Sequence, residues 1–290
     1  MGPVLAGKKR ACYDFCVPSK RTRAMRSASV HDAEAQLPEA RGGAKERARE
    51  TKAALAEECL SKAMAARTAR TRALYARRGL ATAGPLDRTT HAMLLRQLYL
   101  SLFEGRRFRQ AHAIALQALE LDVLSDVLNQ DAARAALASG DLEAALAHLR
   151  AAARRGPASR RPFHLWTLGS ALFLAQRHIE AAAALARAAR WGTKDKPLYR
   201  AHLALARIAA GESVSNLQET INQLAEAPCG QGYGRFVLGH LAYAAGEWPA
   251  AKRYLEAFIK RTTASRPTLG IALEGEVRMT RATLAKMSAN

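Results

Sequence analysis

The sequence predicts an all-α protein, a solenoid of stacked helix pairs, on three observations. The apolar share is 49% and aromatic residues make up only 6%, so Ala and Leu carry most of it. Ala is the strongest helix former and is weak in strands. Second, one helix with its punctuation, SGDLEAALAHLRAAARRGP from Ser139 to Pro157, returns in variants. EGRRFRQAHAIALQALELDV precedes it, LAQRHIEAAAALARAARWGT follows it, and AGEWPAAKRYLEAFIKRT stands near the end. Third, a further apolar helix lies between each pair of copies, with a period of about 34 residues. One helix pair cannot bury its own apolar face, but stacked pairs bury each other's.

The elements follow in order. Residues 1–43 hold two basic clusters, Lys8-Lys9-Arg10 and Lys20-Arg21-Thr22-Arg23, and no lasting apolar stripe. They read as a disordered basic tail. The clusters fit a bipartite nuclear signal, but the Ala- and Arg-heavy composition is more that of a GC-rich bacterial genome. Residues 44–78 read as one long helix with a thin apolar stripe, Leu55, Cys59, Ala63 and Ala66. Its second half, RTARTRALYARRG, is basic, and Gly79, Gly84 and Pro85 end it. Repeat units then begin at Ala92, Asp126, Pro162, Pro197 and Gly232. Each is a helix, a tight turn and a second helix. Gly105, Gly140, Gly211 and Gly246 are expected to supply the unusual backbone angles of those turns. After the last unit, Leu269, Leu273, Val277, Thr280, Leu284 and Met287 share one face of a C-terminal helix, which is expected to cap the stack.

This pattern, over about residues 89–262, resembles the tetratricopeptide repeat family. The family keeps small residues where paired helices touch most closely. Here those places hold Ala133, Gly169, Ala204 and Gly239 on first helices and Ala111, Ala145, Ala181 and Ala251 on second helices. Ala118, Ala152 and Ala188 fill the third small place, and Leu149, Leu185 and Leu255 the larger plug. Departures are Tyr99, Asn216, Gln223 and Phe258, and no unit carries the family's Trp. The fourth unit keeps its first helix and is expected to pack its second atypically. The resemblance implies a right-handed α-α superhelix, residues 89–288 forming the solenoid domain, and a concave face that binds a peptide or partner helix. Carried over by position, that face includes Arg96, Phe103, Arg134, Phe163, Trp166, Phe173, Tyr233, Phe236, His240 and Tyr243. Concentrated rings in a ring-poor chain suit an amphipathic helix or apolar peptide. The alternative is that the rings are core, or are covered by the chain's own N- or C-terminal helix. The cationic clamp for acidic chaperone tails is not reproduced: Leu100, Asp131, Phe163 and Thr167 stand where it needs Asn, Asn, Lys and Arg.

The formal net charge of +20 favours anionic partners. Two clusters are candidates for nucleic acid or anionic lipid: Arg67, Arg70, Arg72, Arg77 and Arg78, and Arg154, Arg155, Arg160 and Arg161. Cations near helix C-termini also serve the helix dipole. Catalytic patterns are missing: no phosphate loop, no nucleophile elbow and no His pair at metal-ligand spacing. His112 and His148 fall on outer helices and are expected to be solvated. Cys12 and Cys16 lack a second pair for zinc, so the four cysteines are expected as free thiols and no metal or cofactor is expected. No apolar run approaches the ~18 residues of a membrane span. The reading is a non-enzymatic, cytoplasmic interaction scaffold. Its alternative is a nucleic-acid or membrane binder acting through the basic N-terminal segment.

Overall fold

The computed structural model describes residues 39–82, 86–264 and 267–289. Among the described residues there is no strand. Residues 1–38, with Cys12, Cys16 and both basic clusters of the tail, lie outside them.

The first described helices are α1 (Glu39–Ala65) and α2 (Ala69–Leu80), where the sequence pattern suggested one helix over 44–78. Thr68 makes the break. Its backbone is extended, and its hydroxyl accepts the Thr71 amide at 3.1 Å, capping a new helix. The chain folds back there, and the close approach is at Gly79. A β-carbon on Gly79 would stand 2.7 Å from Leu94 and 3.1 Å from Cys59, so three helices meet at a residue with no side chain. The buried stripe of α1 is Ala56, Cys59 and Ala63; Leu55, expected in it, is exposed.

Five helix pairs follow. They are α3 (Arg88–Glu104) with α4 (Phe108–Leu119), α5 (Ser125–Ala138) with α6 (Leu142–Arg155), and α7 (Arg161–Leu174) with α8 (His178–Trp191). Then come α9 (Lys196–Ala209) with α10 (Leu217–Glu226) and α11 (Gly234–Ala244) with α12 (Trp248–Thr263). Each of these helices packs mainly on its neighbours in sequence, and each first helix also meets the next, α5 and α7 through Gln130 and Thr167, which makes the arrangement solenoid-like. The small residues sit where the backbones approach. Ala111, Ala145, Ala181 and Ala251 are fully buried. A β-carbon on Gly169 would come within 2.5 Å of Leu185, and one on Gly239 within 2.4 Å of Leu255. The fourth pair departs as its sequence suggested: α10 has only 10 residues and buries Ile221 and Leu224, while Asn216 and Gln223 are exposed.

The turns between paired helices share one geometry. Arg106, Gly140, Gln176, Gly211 and Gly246 all have positive φ, at 55°, 86°, 61°, 84° and 78°. In the first unit the left-handed residue is thus Arg106, not the expected Gly105, whose φ is −78°. Two units keep the turn with a side chain that disfavours it.

The chain ends on α13 (Pro267–Ala272) and α14 (Glu274–Ala289). α14 packs on α11 and α12, as a cap does. α13 goes elsewhere: it touches α3 and α5 as well as α12. The last segment therefore lies across the face of the first helices.

Candidate interaction face

The first helices meet one another through a recurring contact. A residue on each reaches the side chain one position further along in the next unit. Arg96 Nε donates to Asp131 at 2.6 Å, Gln130 Nε2 donates to Thr167 at 2.7 Å, and Trp166 Nε1 donates to His202 at 3.2 Å. The next pair in the same register, Ala201 and Val237, is apolar and fully buried. One register position is thus served by an ion pair, by an amide and hydroxyl, and by an indole and imidazole, and in the last step it holds two buried apolar side chains of the same core.

In the first two units the contact is ionic and well satisfied. Asp131 is only 1% exposed and also accepts Arg134 at 2.9 Å. Burial works against the Arg96 charge, but Asp131 outweighs it and carries the guanidinium pKa above its ordinary value. Beside it, His164 Nε2 lies 3.0 Å from Asp126, and its Nδ1 lies 3.0 Å from Gln130 Nε2. Burial lowers the His164 pKa more than Asp126 raises it, so the ring is neutral near pH 7. The consistent tautomer has Nε2–H donating to Asp126 and Nδ1 accepting from Gln130. Arg160 closes the group on Asp126 at 3.0 Å. An aspartate beside a histidine suggests proton chemistry, but here both ring nitrogens are engaged inside the protein. The group joins the second unit to the third.

From the third unit onward the face is aromatic, and the rings are packed. Trp166 meets Tyr233 edge-on at 4.8 Å between centroids, and Tyr233 meets Phe236 at 5.3 Å. Phe173 meets His202 at 5.3 Å, and Phe236 meets His240 at 4.6 Å and Phe258 at 5.5 Å. The structure brings together Phe163, Trp166, Phe173, Tyr233, Phe236 and His240 from the sequence-derived set. Phe103 lies apart, in a second core with Tyr99 and Phe108. The expected open wall is closed: Phe103, Trp166, Phe173, Tyr233, Phe236 and His240 are buried, and only Phe163 and Tyr243 keep partial exposure. Arg96 is buried on Asp131, and Arg134 is half-buried there. A cleft of about 40 Å³ remains beside Phe163, Trp166, Tyr199 and Arg261.

Part of the closure comes from the C-terminal segment. Glu276 on α14 is buried and accepts the Tyr233 hydroxyl at 3.2 Å. Gly275 lies against Leu174 of the third unit, and Glu274 pairs with Arg106 of the first at 3.2 Å. Burial raises the Glu276 pKa to about 7, against the opposing Tyr233 hydrogen bond. Burial also lowers His202 to about 3 and His240 to about 4, with His240 contributing to the first.

No protein-family model matches the chain, and no curated protein matches it either.

The basic residues divide. Arg67, Arg70, Arg77 and Arg78 are exposed on or beside α2, around Leu74, which is 62% exposed. Arg72 is not part of that surface: it pairs with Glu104 at 2.7 Å. In the second cluster Arg154 and Arg155 are exposed, while Arg160 is engaged on Asp126 and Arg161 is half-buried. The outer histidines also differ from expectation. His112 and His148 are half-buried and face each other, Nε2 to Nε2 at 3.4 Å, with His148 Nδ1 on Asn129 at 3.0 Å. Two nitrogens fall short of a metal's ligand set. Among the described residues no group of three or more His, Cys, Asp or Glu is placed to hold a metal. Cys59 and Cys229 are buried and in no disulfide among the described residues, and no described helix is long and apolar enough to cross a membrane.

Sequence reasoning missed Thr167, His164, His202 and Glu276. A signal was present for Thr167 and His202. Asp131, Thr167 and His202 are polar residues at one register position of otherwise apolar helices. Glu276 carried none, since an acidic residue near a helix start is ordinary on a solvated surface.

Proposed function

We propose that this chain is a helical-repeat interaction scaffold of the tetratricopeptide type, a binding protein rather than an enzyme, which receives a partner helix or peptide on the face of its first helices. The observation that carries the reading is that this face already accommodates a helix, the chain's own α14, through Tyr233 and Glu276. A surface that seats one helix through a buried polar contact and half-buried apolar side chains has the chemistry of helix-in-groove recognition. Phe163 and Tyr243 are the rings of the face left partly open to a partner.

The test is site-specific photo-crosslinking in cells, with the reactive group placed at Phe163, at Tyr243 and, separately, at Leu74. Crosslinks to one protein from the first two positions and not from the third support the scaffold. Crosslinks from Leu74 alone would transfer the function to α2.

That second reading has its own support. Arg67, Arg70, Arg77 and Arg78 surround an exposed Leu74, a combination that suits nucleic-acid phosphates or an anionic lipid surface. Its mark would be affinity that falls steeply with salt and is lost when these four arginines become Glu. An affinity indifferent to salt would remove it.

A further inference from the structure

α13 reaches α3 and α5, while α14 lies against α11 and α12. Ile271 packs with the core of the first two units, and Leu273, Val277 and Met279 pack with the core of the later ones. The segment thus spans both ends of the repeat array. Its fit is unlike that of the repeat helices. The side chains that α14 buries are Glu276, Thr280 and Thr283, while its large apolar residues stay only half-buried. The Thr280 hydroxyl is fully enclosed without a hydrogen-bond partner. On the first helices α9 and α11, Nε2 of both His202 and His240 is likewise enclosed without one.

Enclosed polar atoms left unsatisfied weaken a docked element, because they give up water and receive nothing in return. A permanent cap would present leucine at those places, as the second helices do with Leu149, Leu185 and Leu255. Among the described residues, two directed contacts hold the segment in different surroundings. One is the buried Glu276–Tyr233 bond; another is the exposed Arg106–Glu274 pair, of a kind that contributes little.

We infer that α13–α14 are an exchangeable, built-in ligand of this face, and that the partner is an amphipathic helix with the same pattern: a carboxylate in its first turn for Tyr233 and a small or hydroxyl-bearing residue one turn later. This rests on the scaffold reading for the existence of a partner, though the exchange of the segment does not. The carboxylate also suits a chain of net charge +20, which draws acidic partners toward it.

The experiment uses the full chain and one probe, a fluorescent synthetic peptide of residues 267–289. Wild-type protein is expected to bind it weakly because its own segment competes. Thr280→Lys, which drives a charge into the enclosed site and loosens the internal copy, is expected to bind the peptide about tenfold more tightly. Adding Tyr233→Phe to that variant should return the affinity to the wild-type level, and a peptide carrying Glu276→Lys should not bind. Independently, amide hydrogens of α14 in the wild type should exchange about a hundredfold faster than those of α11. If α14 exchanges together with α11 and α12, the segment is a permanent cap and the inference falls, whether or not Thr280→Lys folds. A folded Thr280→Lys protein that ignores the peptide overturns it equally. Exchange and peptide binding without any cellular crosslink at Phe163 or Tyr243 would leave the exchangeable segment standing and sink the scaffold, and the external partner with it. Crosslinks at those rings with a locked α14 would do the reverse.

Discussion

The first two repeat units and the last three use the same inter-helix contact with opposite chemistry. Arg96–Asp131 and Gln130–Thr167 bind the early units through polar groups whose partners are complete. Trp166–His202 joins the later ones through rings, the next position holds buried Ala201 and Val237, and there polar atoms remain unsatisfied. A solenoid contact needs only a filled volume at a fixed separation. The chemistry that fills it is free to differ, and the difference decides how each half responds to substitution, to pH and to a competing helix.

The largest effects should come from breaking one contact in each half. Asp131→Ala leaves Arg96 and Arg134 without their carboxylate, and breaking a buried pair in this way costs ~3–5 kcal/mol. Trp166→Ala opens a cavity in the aromatic half at a similar ~3–5 kcal/mol. The halves separate in the double replacements. Arg96→Met with Asp131→Leu should recover most of the loss, since an apolar pair is often neutral or better than a buried ion pair. No such rescue is expected for Trp166→Ala with His202→Ala. Urea unfolding of the five proteins checks this, and a failed rescue in the ionic half would show that Arg134 or Arg96 has a further obligation there.

Acid should separate them next. His202 and His240 are held neutral in the folded state, with pKa values of about 3 and about 4. In the unfolded chain each takes a proton near its ordinary value of about 6.5, so stability is lost as pH falls below that point. Between pH 7 and pH 5 the loss is ~2 kcal/mol for each histidine. Glu276 acts in the other direction. Its folded pKa of about 7 lies above the unfolded value, so the folded state holds its proton longer and stability falls as pH rises through that interval. From pH 5 to pH 8 the loss is ~2–3 kcal/mol, and undocking of α14 relieves it. Glu276→Gln should flatten the alkaline side, and His202→Leu the acid side. Unchanged profiles in both variants would break the assignment.

Close packing gives a smaller effect common to both halves. Gly239→Ala forces a carbon against Leu255 and should cost ~1–3 kcal/mol by overpacking. An unchanged melting temperature would mean that α11 and α12 shift apart freely. The smallest effect should be a gain. Gln176 holds the left-handed turn that Gly140, Gly211 and Gly246 hold elsewhere. Gln176→Gly should stabilise by up to ~1 kcal/mol. A loss would show that the exposed Gln176 side chain has a role the turn geometry does not reveal.

The sequence by itself determined the helical class, the five pairs and the small residues at their contacts. Ala, Leu and Gly recur with a period, and helix contact geometry leaves few other uses for Ala145 or Gly169. It also exposed the fourth unit's departure, because Asn216 and Gln223 broke a pattern set by the neighbouring units. It read residues 44–78 as one helix, because a cap at Thr68 competes with helix continuation only when α1 has something to fold against. The Arg96–Asp131 and Trp166–His202 contacts were not legible, since their partners stand 35 and 36 residues apart and belong to different helices. The state of the ring-bearing face was also decided by tertiary structure alone. Register placed Trp166, Phe173, Tyr233 and Phe236 on one side, but whether that side meets water depends on where the last segment lies. α13 and α14 read as an ordinary end cap in periodicity. Only the folded chain carries them across the face, because Ile271 and Glu276 find contacts supplied by helices remote in sequence.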